Sequence, residues 1–237
     1  FPTIIMLASV FFAEGNPFLA AMFVMIVLVL SVMVTLAVSR ILGATVLKGI
    51  PSSFTLELPP YRRPQILKVI MRSVIDRTIF VLGRAICVSI PAGALIWLLQ
   101  NITMGDMTLL EGFSQMLSPL GSVMGLSGII LAAFILGIPA NEIVIPILLM
   151  YYCQSSMLTE VSGLAEMGEI LRVNGWTALT ALCAILFSLN HFPCATTLWT
   201  IAKETKSVKW TITSFLLPTM VGIFVCSVVN AAGNLFF

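Results

Sequence analysis

The sequence predicts an all-α, polytopic helical membrane protein in which some helices are discontinuous or re-entrant. Of its 237 residues, 59% are hydrophobic and only 9% are charged, and the mean hydropathy is +1.09. Soluble domains carry about 25% charged residues, because their outer surface needs polar cover in water. The apolar excess therefore faces lipid, and long uncharged runs interrupted by proline and glycine indicate helices that break within the membrane.

The basic residues are clustered. Eight of the twelve lie between residues 40 and 84, and three more lie between residues 203 and 209. Such clusters flank membrane spans on the cytoplasmic side, because moving a cation across the bilayer is costly. The net charge of +2 is too small to indicate nucleic-acid binding. Because of the apolar composition, the lipid bilayer is the first expected partner.

The N-terminal part of the chain predicts one span and one interfacial helix. Residues 18–39 contain no charge over 22 positions, which is long enough to cross about 30 Å of hydrocarbon. Residues 1–12 are apolar but shorter, and we expect them to be the remainder of a preceding helix. Four prolines prevent a continuous helix over residues 40–64. Over residues 65–80, apolar and charged side chains recur every four positions on separate faces, which predicts a helix lying at the interface.

Two further spans are expected after residue 84. The first covers roughly residues 85–105 and contains Pro91, which should kink it. The second, residues 210–233, is uncharged. Residues 153–172 are mildly acidic and amphipathic and connect the segments that lie between these spans. In total, we expect five to seven membrane-inserted segments, some of which cross only half of the bilayer.

Two segments between these spans are too long to be single ordinary helices. Residues 112–141 and 173–202 each run for 30 positions without a formal charge. Breaks inside a membrane helix free backbone groups, which persist only where they line a cavity or pack within protein. Paired broken segments are therefore the best indication of a transport site in the sequence. The interrupting residues are Pro119, Gly121, Gly125, Gly128, Gly137 and Pro139 in the first segment and Asn190, His191 and Pro193 in the second.

The first candidate site follows Pro139 and contains Asn141 and Glu142. Glu142 is the only charged residue between Glu111 and Glu160, and an acidic side chain at mid-helix costs about 2.5–3.5 kcal/mol. A carboxylate at this position should therefore face water, a partner or an ion. Asn141 would add a second oxygen ligand for a divalent cation. The alternative is a glutamate that snorkels to the interface or caps a helix.

The second candidate site contains His191 and Cys194. An imidazole and a thiolate are good ligands for first-row transition metals, and the His-x-x-Cys spacing allows both to bind one ion. Pro193 is expected in the first turn of a new helix, where the helix dipole would lower the pKa of the Cys194 thiol. The alternative for His191 is a hydrogen-bonded structural role. The other four cysteines are expected to be small buried apolar residues.

Several other functions are disfavoured by the motifs that the chain lacks. It contains no Walker-type loop and no dinucleotide-binding fingerprint, and it lacks the serine-hydrolase and zinc-protease signatures. We therefore expect no enzymatic activity from this chain itself. Its thirteen methionines are mostly ordinary filler of apolar helices, so a copper site is also disfavoured.

Three stretches of the sequence resemble the FeoB family of bacterial ferrous-iron transporters, in the order found in that family. Glu57–Pro64 reads E-L-P-P-Y-R-R-P, Pro139–Val144 reads P-A-N-E-I-V, and Pro193–Thr197 reads P-C-A-T-T, with Lys203–Thr205 (K-E-T) after it. The first block is highly specific to the family. The resemblance implies a nucleoside-permease-like gate fold and a multi-pass protein of the bacterial inner membrane.

The resemblance also implies the cargo and the partners. Fe2+ would be the transported substrate, with Cys194, Asn141 and Glu142 as the residues that match the motifs. GTP and Mg2+ would be bound only by a cytoplasmic G domain outside this chain. Small Feo accessory proteins and further copies of the same protein are the other implied partners.

On this resemblance we expect three regions. Residues 1–39 are the end of a first gate region and a transmembrane helix, residues 40–84 are a cytoplasmic loop and an interfacial helix, and residues 85–237 are the second gate region. Because the sequence begins at Phe1, we expect it to start inside a longer protein, after the first gate motif and the G domain. The remaining alternatives are an organic-solute permease of the nucleoside type and a non-transporting membrane scaffold.

Overall fold

The protein is almost entirely helical in the computed structural model, which describes residues 2–13, 16–45, 66–73, 79–104, 107–153 and 163–236. A 3-10 helix covers Asn141–Ile143. The strands β1 (Thr103–Met104) and β2 (Met107–Thr108) form a short antiparallel ribbon. The α-helices are α1 (Pro2–Phe11), α2 (Pro17–Thr45), α3 (Ile66–Ser73), α4 (Phe80–Asn101), α5 (Leu109–Met124), α6 (Gly128–Leu136), α7 (Val144–Tyr152), α8 (Leu164–Val173), α9 (Ala178–Asn190), α10 (Ala195–Thr205) and α11 (Val208–Phe236).

The helices confirm the prediction of an all-α, multi-pass membrane protein. Within the described residues, three stretches are long and apolar enough to cross a bilayer: α2, the α9–α10 segment and α11. The pair α5 and α6 forms a fourth candidate if it is counted as one broken span. The predicted spans 18–39 and 210–233 lie inside α2 and α11. The predicted span 85–105 overlaps α4, which continues through Pro91 and ends at Asn101 before β1, and α4 is not among these candidate spans.

Other predictions from the sequence are only partly covered by the structure. Helix α3 confirms a helix in the first part of residues 65–80, whereas residues 74–78 lie outside the described residues, and the interfacial position stays a prediction. The stretch that resembles the family most specifically, Glu57–Pro64, also lies outside them. The division of the chain at residues 39 and 84 stays a prediction.

The core of the protein is built around two short helices, α6 and α7. Every residue of α6 except Ile135 is buried, and most of α7 is buried as well. A helix that is apolar on all sides can be stable only where other elements surround it. In contrast, the apolar surfaces of α2 and α11 are mostly exposed, as expected of helices that face lipid.

The first broken segment turns sharply between α5 and α6, whose axes differ by 108°. Gly125 ends α5 with φ +71°, a left-handed conformation that glycine adopts without strain. The N–H of Leu126 donates to the carbonyl of Gly121 at 2.9 Å. From α11, the amide Nδ2 of Asn230 donates to the carbonyls of Ser122 and Val123, each at 3.1 Å.

These bonds explain how a helix can end inside an apolar protein. The last carbonyls of a helix have no intrahelical donor, and leaving them unpaired is costly where water is absent. Asn230 and the turn at Gly125 supply the missing donors. Two of the predicted interruptions, Pro119 and Gly121, are not breaks, because both lie within α5.

Candidate functional site

The two broken segments meet at one backbone contact. Helix α6 ends at Leu136, and the chain then turns through Gly137 and Pro139 before the 3-10 helix begins. In this turn, the carbonyl of Ile138 accepts a hydrogen bond from the N–H of Ala195, at 2.8 Å. Because Ala195 is the first residue of α10, the break that follows α6 lies directly against the break that follows α9.

Cys194 lies at this junction as the N-cap residue of α10. Its backbone is extended, with φ −62° and ψ 158°, and its carbonyl accepts from the N–H groups of Thr197 and Leu198. The prediction that Pro193 lies in the first turn of this helix is therefore wrong, because Pro193 precedes the N-cap residue. The cap position still puts the sulfur at the positive end of the helix, where negative charge is stabilised.

Two threonine hydroxyls surround the sulfur atom of Cys194. The Oγ1 atoms of Thr196 and Thr197 are each 3.1 Å from Sγ. Cys194 is only partly buried. One sulfur and two hydroxyl oxygens form a small mixed group of ligand atoms on the first turn of α10. The sequence contained a signal for this group, since residues two and three positions after an N-cap lie beside it on the first helical turn.

Asn141 and Glu142 lie on the other side of the junction. Both are exposed and both belong to the 3-10 helix Asn141–Ile143, which leads directly into α7. Their oxygen atoms are therefore open to the surroundings of the protein and are not enclosed in its core. Glu142 is also near the N-terminal end of α7, where a carboxylate interacts favourably with the helix dipole. The N-cap residues here are Ala140 and Ile143, so Glu142 itself caps neither helix, and its role as a ligand stays a prediction.

His191 caps the C-terminal end of α9 and is surrounded by aromatic rings. Its Nδ1 atom is 2.9 Å from the carbonyl of Ser188. The rings of Phe134, Phe187 and Phe192 lie with their centroids 4.8–5.5 Å from that of the imidazole. Nδ1 thus has the hydrogen-bonded structural role that was the alternative prediction for His191. The other nitrogen, Nε2, is buried without a hydrogen-bond partner among the described residues.

The predicted ligands do not form a closed metal cage. Among the described residues, no group of three or more histidine, cysteine, aspartate or glutamate side chains is close enough to hold an ion. The structure brings the two breaks together through Ile138 and Ala195, with Cys194 at the contact and Asn141 and Glu142 at the far end of the same turn. An open site with few charged ligands could bind a cation only weakly.

A polar contact that sequence reasoning missed ties α2 to the end of α9. The hydroxyl of Ser31 donates to Oδ1 of Asn190 at 3.2 Å, and both side chains are buried. The amide Nδ2 of Asn190 donates to the carbonyl of Leu186 at 2.9 Å. The only signal for this contact was a serine in an otherwise apolar span, and serines occur often in such spans.

The remaining cysteines divide into two pairs. Cys183 and Cys226 are buried, and the sulfur of Cys226 lies 3.3 Å from the carbonyl of Cys183. These two behave as the small buried apolar residues that were predicted. The prediction was wrong for Cys87 and Cys153, which are exposed at α4 and at the end of α7.

Comparisons with known proteins match most of the chain. The family described as "Gate: Nucleoside recognition" matches residues 82–208, and the family described as "Ferrous iron transport protein B C terminus" matches residues 24–77. Residues 82–208 contain both broken segments up to the end of α10. Residues 24–77 contain most of α2 and all of α3. No solved structure matches the chain.

Several relatives share one description, "Fe(2+) transporter FeoB". The protein of that name from Staphylococcus aureus (strain MSSA476) is 27% identical over 99% of this chain and 34% of its own length. The one from Methanocaldococcus jannaschii is 24% identical over 88% of this chain and 32% of its own length. The one from Synechocystis sp. (strain ATCC 27184 / PCC 6803 / Kazusa) is 31% identical over 70% of this chain and 26% of its own length. The chain thus spans about a third of the length of the curated relatives it matches.

Proposed function

Because this chain belongs to the FeoB family and contains a Gate domain, we propose that it forms part of the pathway by which ferrous iron (Fe2+) crosses the membrane. Fe2+ is the transported substrate in this proposal. The membrane is the bacterial inner membrane, and the direction is uptake. GTP, with Mg2+, acts through a cytoplasmic G domain outside these 237 residues, and the chain itself performs no hydrolysis.

The observation that carries the proposal is the hydrogen bond from Ala195 to Ile138, which joins the two breaks. It joins the start of α10, where two hydroxyls lie beside the sulfur of Cys194, to the turn that precedes Asn141 and Glu142. Fe2+ accepts nitrogen, oxygen and sulfur ligands together, so a mixed site of this kind suits it. A transporter must also release its cargo, and an incomplete ligand set favours release.

We assign roles to the predicted residues on this basis. Cys194 is the sulfur ligand, and Asn141 and Glu142 supply oxygen atoms at the other end of the turn. Thr196 and Thr197 assist Cys194, since their hydroxyls lie 3.1 Å from its sulfur. His191 is the nitrogen ligand, through the nitrogen that is not bonded to Ser188.

A nucleoside-type permease is less well supported, although the description of the Gate family mentions nucleosides. Such a site needs an aromatic face that is free to stack on a base. Phe192 is only 4% exposed, and its ring already stacks on Phe215 with centroids 5.1 Å apart. Trp199 is half-exposed at the surface of α10. Neither residue forms a slot for a base.

The direct test is uptake of radioactive Fe2+ under anaerobic conditions by cells that lack other ferrous importers. Cells that express the whole protein should accumulate iron in a saturable manner, and uptake of a labelled nucleoside should stay at the level of cells without it. Accumulation of the nucleoside, with no accumulation of iron, would replace this proposal by the nucleoside alternative. Failure of both substrates to accumulate in cells with normal protein levels would favour a scaffold.

The junction itself can be tested by removing one N–H group. The Ala195→Pro variant deletes the donor to Ile138, and proline is well tolerated at the first position of a helix. The preceding residue, Cys194, already has the extended backbone that a following proline requires. We expect Fe2+ uptake to fall about three- to tenfold, as the loss of one net hydrogen bond of about 1 kcal/mol implies.

The matched control is Ala178→Pro. Ala178 is the first residue of α9, and Thr177 before it is also extended. This substitution removes a comparable N–H group far from the junction, so uptake should stay near the wild-type rate. Equal rates for the Ala195→Pro and Ala178→Pro variants would show that the contact between the breaks has no part in transport.

A further inference from the structure

Helix α11 is divided by Pro218 into two parts that pack differently. After Pro218, the residues Gly222, Cys226 and Asn230 are buried and lie four positions apart on one face. Before it, α11 contains no buried residue, and α10 contains none either. A short turn at Lys206 joins the two helices. We call α10 and the first part of α11, up to residue 217, the α10–α11 hairpin.

The second part of α11 is held closely by α9 and α5. A Cβ atom on Gly222 would lie 2.8 Å from the carbonyl oxygen of Asn190, and one on Gly233 would lie 2.6 Å from the side chain of Leu179. Both neighbours belong to α9, so glycine allows α11 to approach that helix at two separate points. The bonds from α11 to the end of α5, described above, add a second attachment. This part of α11 therefore belongs to the core.

The chain enters and leaves the hairpin at one place. Pro193 precedes the hairpin, and the backbone on both sides of this proline is extended. The ring of Phe192, directly before Pro193, stacks on Phe215 of α11 with centroids 5.1 Å apart. Phe215 is one helical turn before Pro218, so the two prolines lie at the same end of the hairpin. Two neighbouring connections of this kind form the geometry of a hinge.

Helix α11 is also weakened around Pro218. Proline has no N–H group, so the carbonyl of Ser214 receives no bond from the residue four positions later. The hydroxyl of Ser214 donates to the carbonyl of Trp210 at 2.8 Å, and that of Thr219 donates to the carbonyl of Phe215 at 2.6 Å. Such bonds from hydroxyls to the preceding turn bend helices. In contrast, α2 has the same length and no internal proline.

From these observations we infer that the α10–α11 hairpin rotates as a unit about Pro193 and Pro218 and thereby opens and closes the contact between the two breaks. Segments with few buried contacts open at the lowest cost in free energy, and the hairpin has no buried residue. Its first residue, Ala195, donates the hydrogen bond to Ile138 that marks the closed position. One backbone hydrogen bond is a weak restraint, so both positions are populated.

The rotation moves part of the candidate site and leaves the rest in place. Thr196 and Thr197 lie on the first turn of the hairpin, and their hydroxyls are 3.1 Å from the sulfur of Cys194. Asn141 and Glu142 precede α7, which is part of the buried core. An outward rotation would therefore separate the sulfur and hydroxyl groups from the oxygen atoms of the other break. That this separation releases Fe2+ rests on the function proposed above, whereas the rotation itself does not.

The first test measures distances within the whole protein in lipid nanodiscs by double electron–electron resonance. Spin labels are attached to unnatural amino acids, which leaves every cysteine in place. One pair joins Val208, which is exposed at the start of α11, to Ala178, the first residue of α9. We expect two distance populations for this pair. The reference pair joins Val228, in the second part of α11, to Ala178 and should give a single narrow distance.

Two variants should shift these populations in opposite directions. Pro218→Ala restores a backbone donor within α11, so the helix becomes stiffer and the first pair should narrow to one distance. Ala195→Pro removes the bond to Ile138, so the population that differs from the closed position should increase. The reference pair should not change in either variant.

The second test separates the hinge from a general effect on stability. Pro218→Ala should keep or raise the midpoint of thermal unfolding, because it restores a helical bond. The initial rate of Fe2+ uptake should nevertheless fall about fivefold or more, within the usual range for coupling between two conformations. The matched control is Pro119→Ala, since Pro119 also lies inside a helix, namely α5. This control should unfold at the same or a higher temperature and keep the wild-type uptake rate.

The outcomes distinguish the rotation from the proposed function. A single narrow distance for the first pair, in the wild type and in Ala195→Pro alike, would overturn the inference. Equal uptake rates for Pro218→Ala and Pro119→Ala would also overturn it. If the wild type takes up no Fe2+, the proposed function fails, and the two distance populations still decide whether the hairpin rotates. If Pro218→Ala does not fold, the comparison between the wild type and Ala195→Pro decides.

Discussion

Replacement of Cys194 by serine is expected to lower Fe2+ uptake by the whole protein between roughly tenfold and a hundredfold, in line with the loss of a metal-site interaction. Serine keeps the shape of the side chain but removes the polarisable sulfur that binds Fe2+. The substitution should not harm the fold, because Cys194 is the N-cap of α10 and serine is among the best N-cap residues. A loss of uptake can therefore be assigned to the sulfur. The measurement is the initial rate of radio-iron uptake at equal protein levels.

The control for this prediction is Cys153→Ser. Cys153 is exposed at the end of α7 and lies away from the junction. Its replacement should leave the uptake rate unchanged. Glu142→Ala, added to Cys194→Ser, should lower uptake further if both side chains act on the same ion. Wild-type uptake by the double variant would show that neither residue lies on the path of the ion.

The long helices of this protein could be predicted from composition alone. An uncharged run such as residues 18–39 must become a helix in lipid, because no other local structure satisfies its own backbone groups there. Helix α2 extends this run only by the residues that flank it, from Pro17 to Thr45. The position of the second break could also be predicted, because Pro193 ends any helix that approaches it.

The sequence was less informative about the first broken segment. The sequence does not distinguish Pro119 and Gly121 from Gly125 as interruptions, yet the helix continues through both. A proline within a helix frees a carbonyl one turn earlier, and this loss alone does not end the helix. The turn at Gly125 also depends on Asn230, which is more than one hundred positions away in the sequence. No local pattern contains that information.

The polar contacts around the candidate sites were hidden for the same reason. The Ser31–Asn190 bond joins residues 159 positions apart, and the bond from Ala195 to Ile138 connects two separate segments. The motifs indicated which residue types carry the chemistry, namely Cys194, His191, Asn141 and Glu142. They could not indicate that Asn141 and Glu142 are exposed or that Nε2 of His191 is buried without a hydrogen-bond partner among the described residues.

The Gly128→Ala variant is expected to lose about 3 kcal/mol or more of stability, at the upper end of the cost of overpacking. A Cβ atom at Gly128 would collide with the carbonyl oxygen of Ser114 and would lie 3.0 Å from the backbone nitrogen of Ser118. Both obstacles are backbone atoms of α5, so no side chain can move aside to relieve the contact. The measurement is the midpoint of thermal unfolding in mild detergent, together with the yield of monodisperse protein.

Gly112→Ala is the matched control, because Gly112 is also helical and a Cβ there would meet nothing within 4 Å. It should unfold at the same temperature as the wild type or slightly higher, since alanine favours helix more than glycine by about 1 kcal/mol. Equal stability of the two variants would mean that α5 and α6 do not pack as closely as described. If Gly128→Ala instead folds with a displaced α6, Fe2+ uptake should fall as well. The carbonyl of Ile138 follows α6 by two residues, and any shift of that helix moves it away from the N–H of Ala195.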